Sequence, residues 1–397
     1  MKPWLALIGL GEDGEVSPAA RARLSQAALV VGGARHLGLI GETAGERLAW
    51  PSPMQDAYPA ILARRGDAVC VLASGDPFFY GVGSSLAALV GPDEFESFPQ
   101  ASAFSLAASR LGWALQDCAL LTLHGRALQR IIPHLHPGAR VMALSWDGET
   151  PAKLASLLCG RGLGDSRLTV LEAMGGPRER RRCATAWEFD GRGVDPLNTI
   201  ALEVVETVGA RIPPRAAGLP DEWFEHDGQI TKREMRALTI SALAPRPRET
   251  LWDVGAGSGS IAIEWLLADL SLQAIAVERD PTRCACIAAN AAALGVPQLR
   301  VVEGAAAEAL TGLPAPDAVF LGGGVEAAFE TCWAALRPGG RLVVNAVTVE
   351  SQALVAQLSR RFGGDLLHVQ FARAEPVGRF RGFRALMPSV QWRAVKP

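Results

Sequence analysis

Gly255, Gly257 and Gly259 stand two apart in the stretch Leu-Trp-Asp-Val-Gly-Ala-Gly-Ser-Gly-Ser, and an acid, Glu278, follows 23 residues after the first of them. Glycines at this spacing let a backbone turn tightly beside a ligand with no Cβ in the way. Glu278 ends the apolar run Gln273-Ala-Ile-Ala-Val, where a βαβ unit sets a carboxylate against a ribose diol. The G-x-G-x-G spacing differs from G-x-G-x-x-G, whose third glycine lets strand and helix close on a pyrophosphate. Adenosine without a pyrophosphate is the better fit, with S-adenosylmethionine the common ligand of that kind, and a nicotinamide dehydrogenase ranks last. The elements that must position these groups are an apolar strand over residues 251–254, a helix from Ile261 whose free N–H groups face the loop, and a second strand over 273–278.

The first half alternates short apolar runs with helical stretches, which predicts an α/β domain with a largely parallel sheet. A strand over residues 4–9 empties into Gly9-Leu-Gly-Glu-Asp-Gly14, and Ser17-Pro18 supplies an N-cap and a first-turn proline. A strand over 68–73 leads into Ser74-Gly-Asp-Pro77, placing Ser74 and Asp76 at the carboxyl edge of the sheet, where open α/β sheets bind ligands. Thr150-Pro151 reads as a cap before a helix over 152–159. Gly209, Pro213, Pro214, Gly218 and Pro220 mark a linker over 209–220 between residues 1–208 and 221–397. Thr231 is expected to cap the next helix, with Glu234 completing a capping box. Segments 366–371 and 384–387 are expected to form a closing antiparallel hairpin. No internal repeat is visible, so two unrelated α/β halves are expected.

At 397 residues and 49% apolar content the chain is long enough for two or three domains. A net charge of −2 and a pI near 6.3 argue against a nucleic-acid partner. No apolar run reaches spanning length and no signal peptide is apparent, so the expectation is a cytoplasmic protein with no membrane partner. The seven cysteines form no C-x-x-C pair and the six histidines lack ligand spacing, so reduced thiols and no metal are expected.

The first half resembles the tetrapyrrole (corrin) methyltransferases, through Ile8-Gly-Leu-Gly11, Ser74-Gly-Asp-Pro77 with Tyr80-Gly81, Leu123-His-Gly-Arg126, Asp147-Gly-Glu-Thr-Pro-Ala-Lys153 and Asp195-Pro-Leu-Asn198. The second half resembles the decarboxylating precorrin methyltransferases, through Gly218-Leu-Pro-Asp-Glu222, Thr231-Lys232, the loop from Asp253 to Gly259, Gly322 to Gly324 and Pro338-Gly-Gly-Arg-Leu-Val-Val-Asn-Ala346. In this order the motifs look like the fused C5,C15-methylating family of vitamin B12 biosynthesis. The resemblance implies a tetrapyrrole methylase fold of two small α/β lobes, followed by a Rossmann-like class I methyltransferase domain. It implies one S-adenosylmethionine per domain, C5 methylation of precorrin-6B by the first, and C15 methylation with loss of the ring C acetate carboxyl by the second, giving precorrin-8. It also implies a homo-oligomer. Cofactor contacts carry over to Thr231, Gly255, Ala256, Gly257, Ser258, Gly259, Glu278, Gly304 and Ala305 in the second half, and to Ser74, Gly75, Asp76, Pro77 and Ser102 in the first. Ala305 stands where the family often has an acid, which leaves a backbone contact to the adenine.

An activated methyl sulfonium needs no protein nucleophile and no metal; the protein must align it with the acceptor carbon and exclude water. A polycarboxylate substrate calls for arginines. No catalytic residue is assigned; the candidates are Arg379, Arg381 and Arg384, with Arg373 beside them, His124 and Arg126 in the first half, and His226 with Asp227 before the Thr231 cap. The alternatives are a class I RNA or protein methyltransferase, and a first half that is a non-catalytic recognition or channelling module.

Overall fold

The computed structural model describes residues 3–397. The chain divides into two units, residues 1–128 with 134–212 and residues 129–133 with 213–397.

The first unit contains two sheets. Strands β1 (Leu5–Leu10), β2 (Leu29–Gly32), β3 (Glu46–Ala49), β4 (Val69–Ser74) and β5 (Phe95–Phe98) pair in the order β3-β2-β4-β1-β5, all parallel. β1 is buried along its whole length, as a central parallel strand covered on both faces should be. The helix Pro18–Ser25 starts as its sequence dictates, with the Ser17 hydroxyl accepting from the Ala20 N–H.

The second sheet departs from the parallel expectation. Strands β6 (Cys118–Thr122), β7 (Arg140–Leu144), β8 (Arg167–Glu172), β9 (Arg180–Thr185) and β10 (Asn198–Glu203) pair in the order β6-β7-β10-β8-β9, and only β6 with β7 is parallel. No helix separates β8, β9 and β10, and strands joined without a crossover helix pair antiparallel. The helix Thr150–Gly160 begins at Thr150 itself, so Thr150 is not the cap. The Asp147 carboxylate instead accepts the N–H groups of Glu149 and Thr150, at 2.9 and 2.8 Å.

The second unit is a seven-stranded sheet. Strands β11 (Thr250–Val254), β12 (Gln273–Glu278), β13 (Arg300–Glu303), β14 (Ala318–Leu321) and β15 (Arg341–Ala346) are parallel. β16 (Asp365–Val369) and a late strand continue the sheet, in the order β13-β12-β11-β14-β15-late strand-β16. A separate hairpin pairs β17 (Ala372–Val377) with β18 (Phe380–Ala385), and the late strand is β19 (Ser389–Val395), antiparallel to both neighbours. The expected closing hairpin of 366–371 with 384–387 is therefore corrected. β19 carries Trp392 and Ala394 into the core on one side, an alternation that suits a sheet interior, while Phe383 and Met387 are exposed.

Alternate residues of the parallel strands feed opposite faces. Leu251, Ala274, Ala276, Phe320 and Val343 pack with Ile240, Ile261 and Ile287. Trp252, Val254, Val277, Leu321 and Val344 pack with Phe329, Val355 and Trp392.

Candidate active site

After β11 the chain turns through Gly255, Gly257 and Gly259, all at positive φ (70°, 58° and 75°), into the helix Ser260–Ala268. Gly255, Ala256, Gly257 and Ser258 face a cavity of about 760 Å³ that Glu278, Gly304, Ala305 and Thr231 also line. Gly259 backs the loop instead: a Cβ there would lie 2.7 Å from Ile287 Cγ2. Glu278 Oε2 accepts the Gly257 N–H at 2.9 Å and Oε1 accepts the Arg279 N–H at 2.9 Å. Oε1 also accepts the Asp280 N–H at 3.2 Å, and since each carboxylate oxygen accepts more than one bond, an acceptor site on Oε2 remains for the ribose diol. Ser258 lines the cavity and is 3% exposed, and its buried hydroxyl has no hydrogen-bond partner among the described residues. Asp253, beneath the loop, accepts the Ala262 N–H at 3.0 Å and so sets the start of the helix. Burial pushes its carboxyl up to about 7; the Ala262 bond opposes this and Glu278 adds to it.

A strap over residues 218–231 closes one side of the cavity, held by a buried ion pair. Glu264 accepts the N–H groups of Gly218 and Leu219 at 2.7 and 2.8 Å and the Arg236 Nε at 2.6 Å. Arg236 also donates to the carbonyls of Leu219 and Thr231. Farther along, the Asn290 amide bonds the N–H and C=O of Glu225 at 2.8 and 2.9 Å and the Ser258 carbonyl at 3.0 Å, joining strap to glycine loop. Asp227 pairs with Arg283 at 2.6 Å, and Arg283 lines the cavity. The Gln229 N–H and Arg283 together hold the Asp227 carboxyl below its ordinary range.

The capping box at Thr231 and Glu234 does not form. Lys232 occupies the cap position with no side-chain bond, and the helix runs Arg233–Leu243. The Thr231 carbonyl is held by Arg236, and Glu234 accepts from Arg373 at 2.8 Å. His226 accepts the Gly228 N–H at 3.0 Å, and neither it nor Asp227 lines the cavity. Arg379, Arg381 and Arg384 also stay outside the cavity. Arg379 lies over the Phe380 ring, Arg381 donates to the Ala374 carbonyl and Arg384 pairs with Glu375. Sequence reasoning missed Arg236, Arg283, Asn290 and Asn345. The signal for the first was a charge, Glu264, inside an otherwise apolar helix, which requires a buried partner. The two asparagines gave no such signal.

In the first unit the backbone after β4 is packed closely. Gly75 has φ of 58°, and a Cβ on it would lie 2.8 Å from the Ala101 carbonyl oxygen. Ser74 Oγ accepts from Arg35 at 2.8 Å and lies 2.9 Å from His36 Nε2. Burial, then the neighbouring Arg35, lowers the His36 pKa to about 4, so the ring is neutral at pH 7. Asp76 accepts the Phe78 N–H at 2.8 Å, the Pro77 carbonyl accepts the Gly83 N–H at 2.8 Å, and Ser102 caps the helix Ala103–Leu111. A separate cavity of about 200 Å³ is lined by Arg126, Trp146, Asp147 and Lys153 among others. His124 sits at its side, 6.4 Å from the Trp146 ring. Among the described residues no cluster of His, Cys, Asp or Glu could hold a metal, and no helix is long and apolar enough to cross a membrane.

Residues 5–189 match the family model of the tetrapyrrole (corrin/porphyrin) methylases, and residues 222–396 match that of the precorrin methyltransferase domain. The chain is 53% identical to the precorrin-6Y C(5,15)-methyltransferase (decarboxylating) of Sinorhizobium sp, over 99% of this chain and 96% of that one. It is 31% identical to the cobalt-precorrin-7 C(5)-methyltransferase of Salmonella typhimurium, over 44% of this chain and 88% of that one. It is 35% identical to a probable cobalt-precorrin-6B C(15)-methyltransferase (decarboxylating) of Pyrobaculum aerophilum, over 44% of this chain and 93% of that one.

Proposed function

The chain belongs to the decarboxylating precorrin-6Y C5,15-methyltransferases, and from that premise we propose how its two units divide the chemistry. The protein is a methyltransferase of cobalamin biosynthesis that uses S-adenosylmethionine as methyl donor. In our reading residues 1–208 methylate C5, residues 221–397 methylate C15 and decarboxylate the ring C acetate, and each unit holds its own donor. The substrate is the compound named precorrin-6B above and precorrin-6Y in the relative's name; the product is precorrin-8. Support comes from the two relatives that each match under half of this chain and each carry one of the two activities in their names.

The observation that carries the reading is the cavity beside Gly255–Gly257, with Glu278 across from the loop and the buried Ser258 hydroxyl awaiting a partner. These residues fit the donor. Glu278 would hold the ribose hydroxyls, Gly304 and the Ala305 backbone would flank the adenine, and Ser258 with Thr231 would meet the amino-acid end. The donor supplies an activated methyl group. The strap excludes water from one side of the site, and the Arg236–Glu264 pair keeps it in place. In the first unit Ser74, Gly75, Asp76, Pro77 and Ser102 form the corresponding donor edge, and Arg126 with Lys153 suits a substrate carboxylate.

Methylation of an enamine-like meso carbon leaves positive charge that the ring nitrogens spread. The neighbouring acetate then loses carbon dioxide, and its bonding electrons flow into that charge. Apolar Val369, Phe371 and Leu386 line the cavity and favour a departing carboxylate that has shed its water. The exposed Phe380 and Phe383 support self-association. The test is mass spectrometry of precorrin-6Y incubated with S-adenosylmethionine and the full-length protein. Gain of two methyls with loss of carbon dioxide is the expected outcome; an unchanged tetrapyrrole in the presence of bound donor overturns the reading.

A further inference from the structure

The sheet register separates two ends of the large cavity. Val277, Val254, Leu321 and Val344 lie in one row across β12, β11, β14 and β15. Glu278 and Asn345 each follow that row, so they stand at one level three strands apart. At a spacing of about 4.8 Å per strand this is about 14 Å. The sulfonium of the donor is bonded to the ribose carbon next to the ring, so its methyl stays close to the ribose that Glu278 holds. Asn345 lies beyond it, at the end of the cavity lined by Val347, Phe371, Leu386 and Met387.

Asn345 is held there by two buried polar side chains in an apolar environment. Thr239 is 0% exposed and Gln391, opposite Asn345 on β19, is 5% exposed. The Thr239 hydroxyl donates to the Met235 carbonyl at 2.7 Å, so its oxygen must accept from Asn345 Nδ2 at 2.8 Å and from Gln391 Nε2 at 3.3 Å. Gln391 Nε2 also donates to Asn345 Oδ1 at 3.0 Å. These bonds fix which end of the Asn345 amide is nitrogen and which is oxygen. One N–H and one oxygen lone pair of Asn345 are left over. Buried polar groups of this kind are costly unless satisfied, and their effect here is to aim one amide.

We propose that Asn345 contacts the tetrapyrrole, offering one donor and one acceptor to its ring nitrogens, and that Thr239 and Gln391 are positioning residues for it. The proposal rests on the methyltransferase reading above. Such an edge is complementary to a ring N–H beside an unprotonated ring nitrogen, so it selects both the macrocycle and its protonation pattern. A carboxylate in the same place would repel a polyanionic substrate while leaving a cationic methyl donor untouched.

The experiment uses full-length protein, precorrin-6Y and S-adenosylmethionine, with Asn345→Asp, Asn345→Ala, Thr239→Val and Thr239→Ser. For Asn345→Asp, kcat/KM for the tetrapyrrole is expected to fall at least about tenfold through like-charge repulsion, with the donor Kd within about twofold of wild type. Asn345→Ala lowers the same parameter without adding charge. Thr239→Val shows a smaller loss of the same kind and Thr239→Ser restores it, a rescue that a purely packing role would not produce. Two retained donor-binding events per chain report that each variant is folded in both units. Unchanged tetrapyrrole kinetics in both Asn345 variants, or a loss confined to donor affinity, overturns the proposal alone. Wild-type protein that leaves precorrin-6Y unchanged overturns the functional reading and this inference with it.

Discussion

Two glycine-containing strand exits, after β4 and after β11, serve the same purpose in our reading and are built in opposite ways. After β11 the loop opens onto a cavity of about 760 Å³, and the Ser258 hydroxyl and Glu278 keep bonding capacity for a ligand. After β4 the two hydroxyls already hold protein partners: Ser74 has Arg35 and Ser102 has the Ser105 N–H. A ligand at the second unit adds bonds, whereas one at the first unit exchanges them. Tighter donor binding is therefore expected at the second unit, because exchange returns only the difference between two sets of hydrogen bonds.

The bracing differs as well, and this is where the contrast is easiest to break. Arg236 and Glu264 have side chains 0% and 2% exposed. Arg236→Met strands the Glu264 charge in the core and is expected to destabilise the second unit by about 3–5 kcal/mol, read from urea unfolding. Smaller is the effect of Glu278→Ala, which removes the proposed diol contact and the latch on Gly257. It should weaken donor binding at the second unit by about 10- to 100-fold in calorimetry and suppress carbon dioxide release, while methyl-donor binding to the first unit persists.

Asp253 gives the second unit a pH dependence opposite in direction to that of His36 in the first, whose lowered pKa costs stability as pH falls below 6.5. Its folded pKa of about 7 lies above the ordinary 3.8, so the folded state holds a proton that the unfolded state releases. That contribution to stability is present at low pH and is lost as pH rises from 3.8 through about 7, with Glu278 as the facing charge. The melting temperature of Asp253→Asn relative to wild type is expected to climb between about pH 5 and about pH 8. The smallest expected effect belongs to the first unit. Arg178, its side chain 57% exposed, pairs with Glu12 and Asp195, and Arg178→Ala should cost about 0–1 kcal/mol.

The parallel βαβ core was legible in sequence because its strands are short, largely apolar runs with a marked end, a glycine at Gly255 and an acid at Glu278. The mixed sheet was not, because Arg180-Arg-Arg-Cys183 on β9 has no apolar run to mark it as a strand; Arg180 and Arg182 are bound to the buried Glu172 of the neighbouring strand. The Thr231 cap failed for a comparable reason. Glu234 found a cation, Arg373, far along the chain, and a long-range ion pair leaves no mark in local spacing. Cavity-lining Arg283 gave no signal and Asn345 stood within the Pro338–Ala346 motif without a role, since only the sheet order brings the helix after β12 and the end of β15 to one rim.

In our reading one chain carries two donor sites of unequal quality. Isothermal titration of the full-length protein with S-adenosylmethionine tests it most directly. Two binding events per chain are expected, with Glu278→Ala weakening the tighter one and sparing the other. A single event per chain in the wild type, lost altogether in Glu278→Ala, would contradict the account.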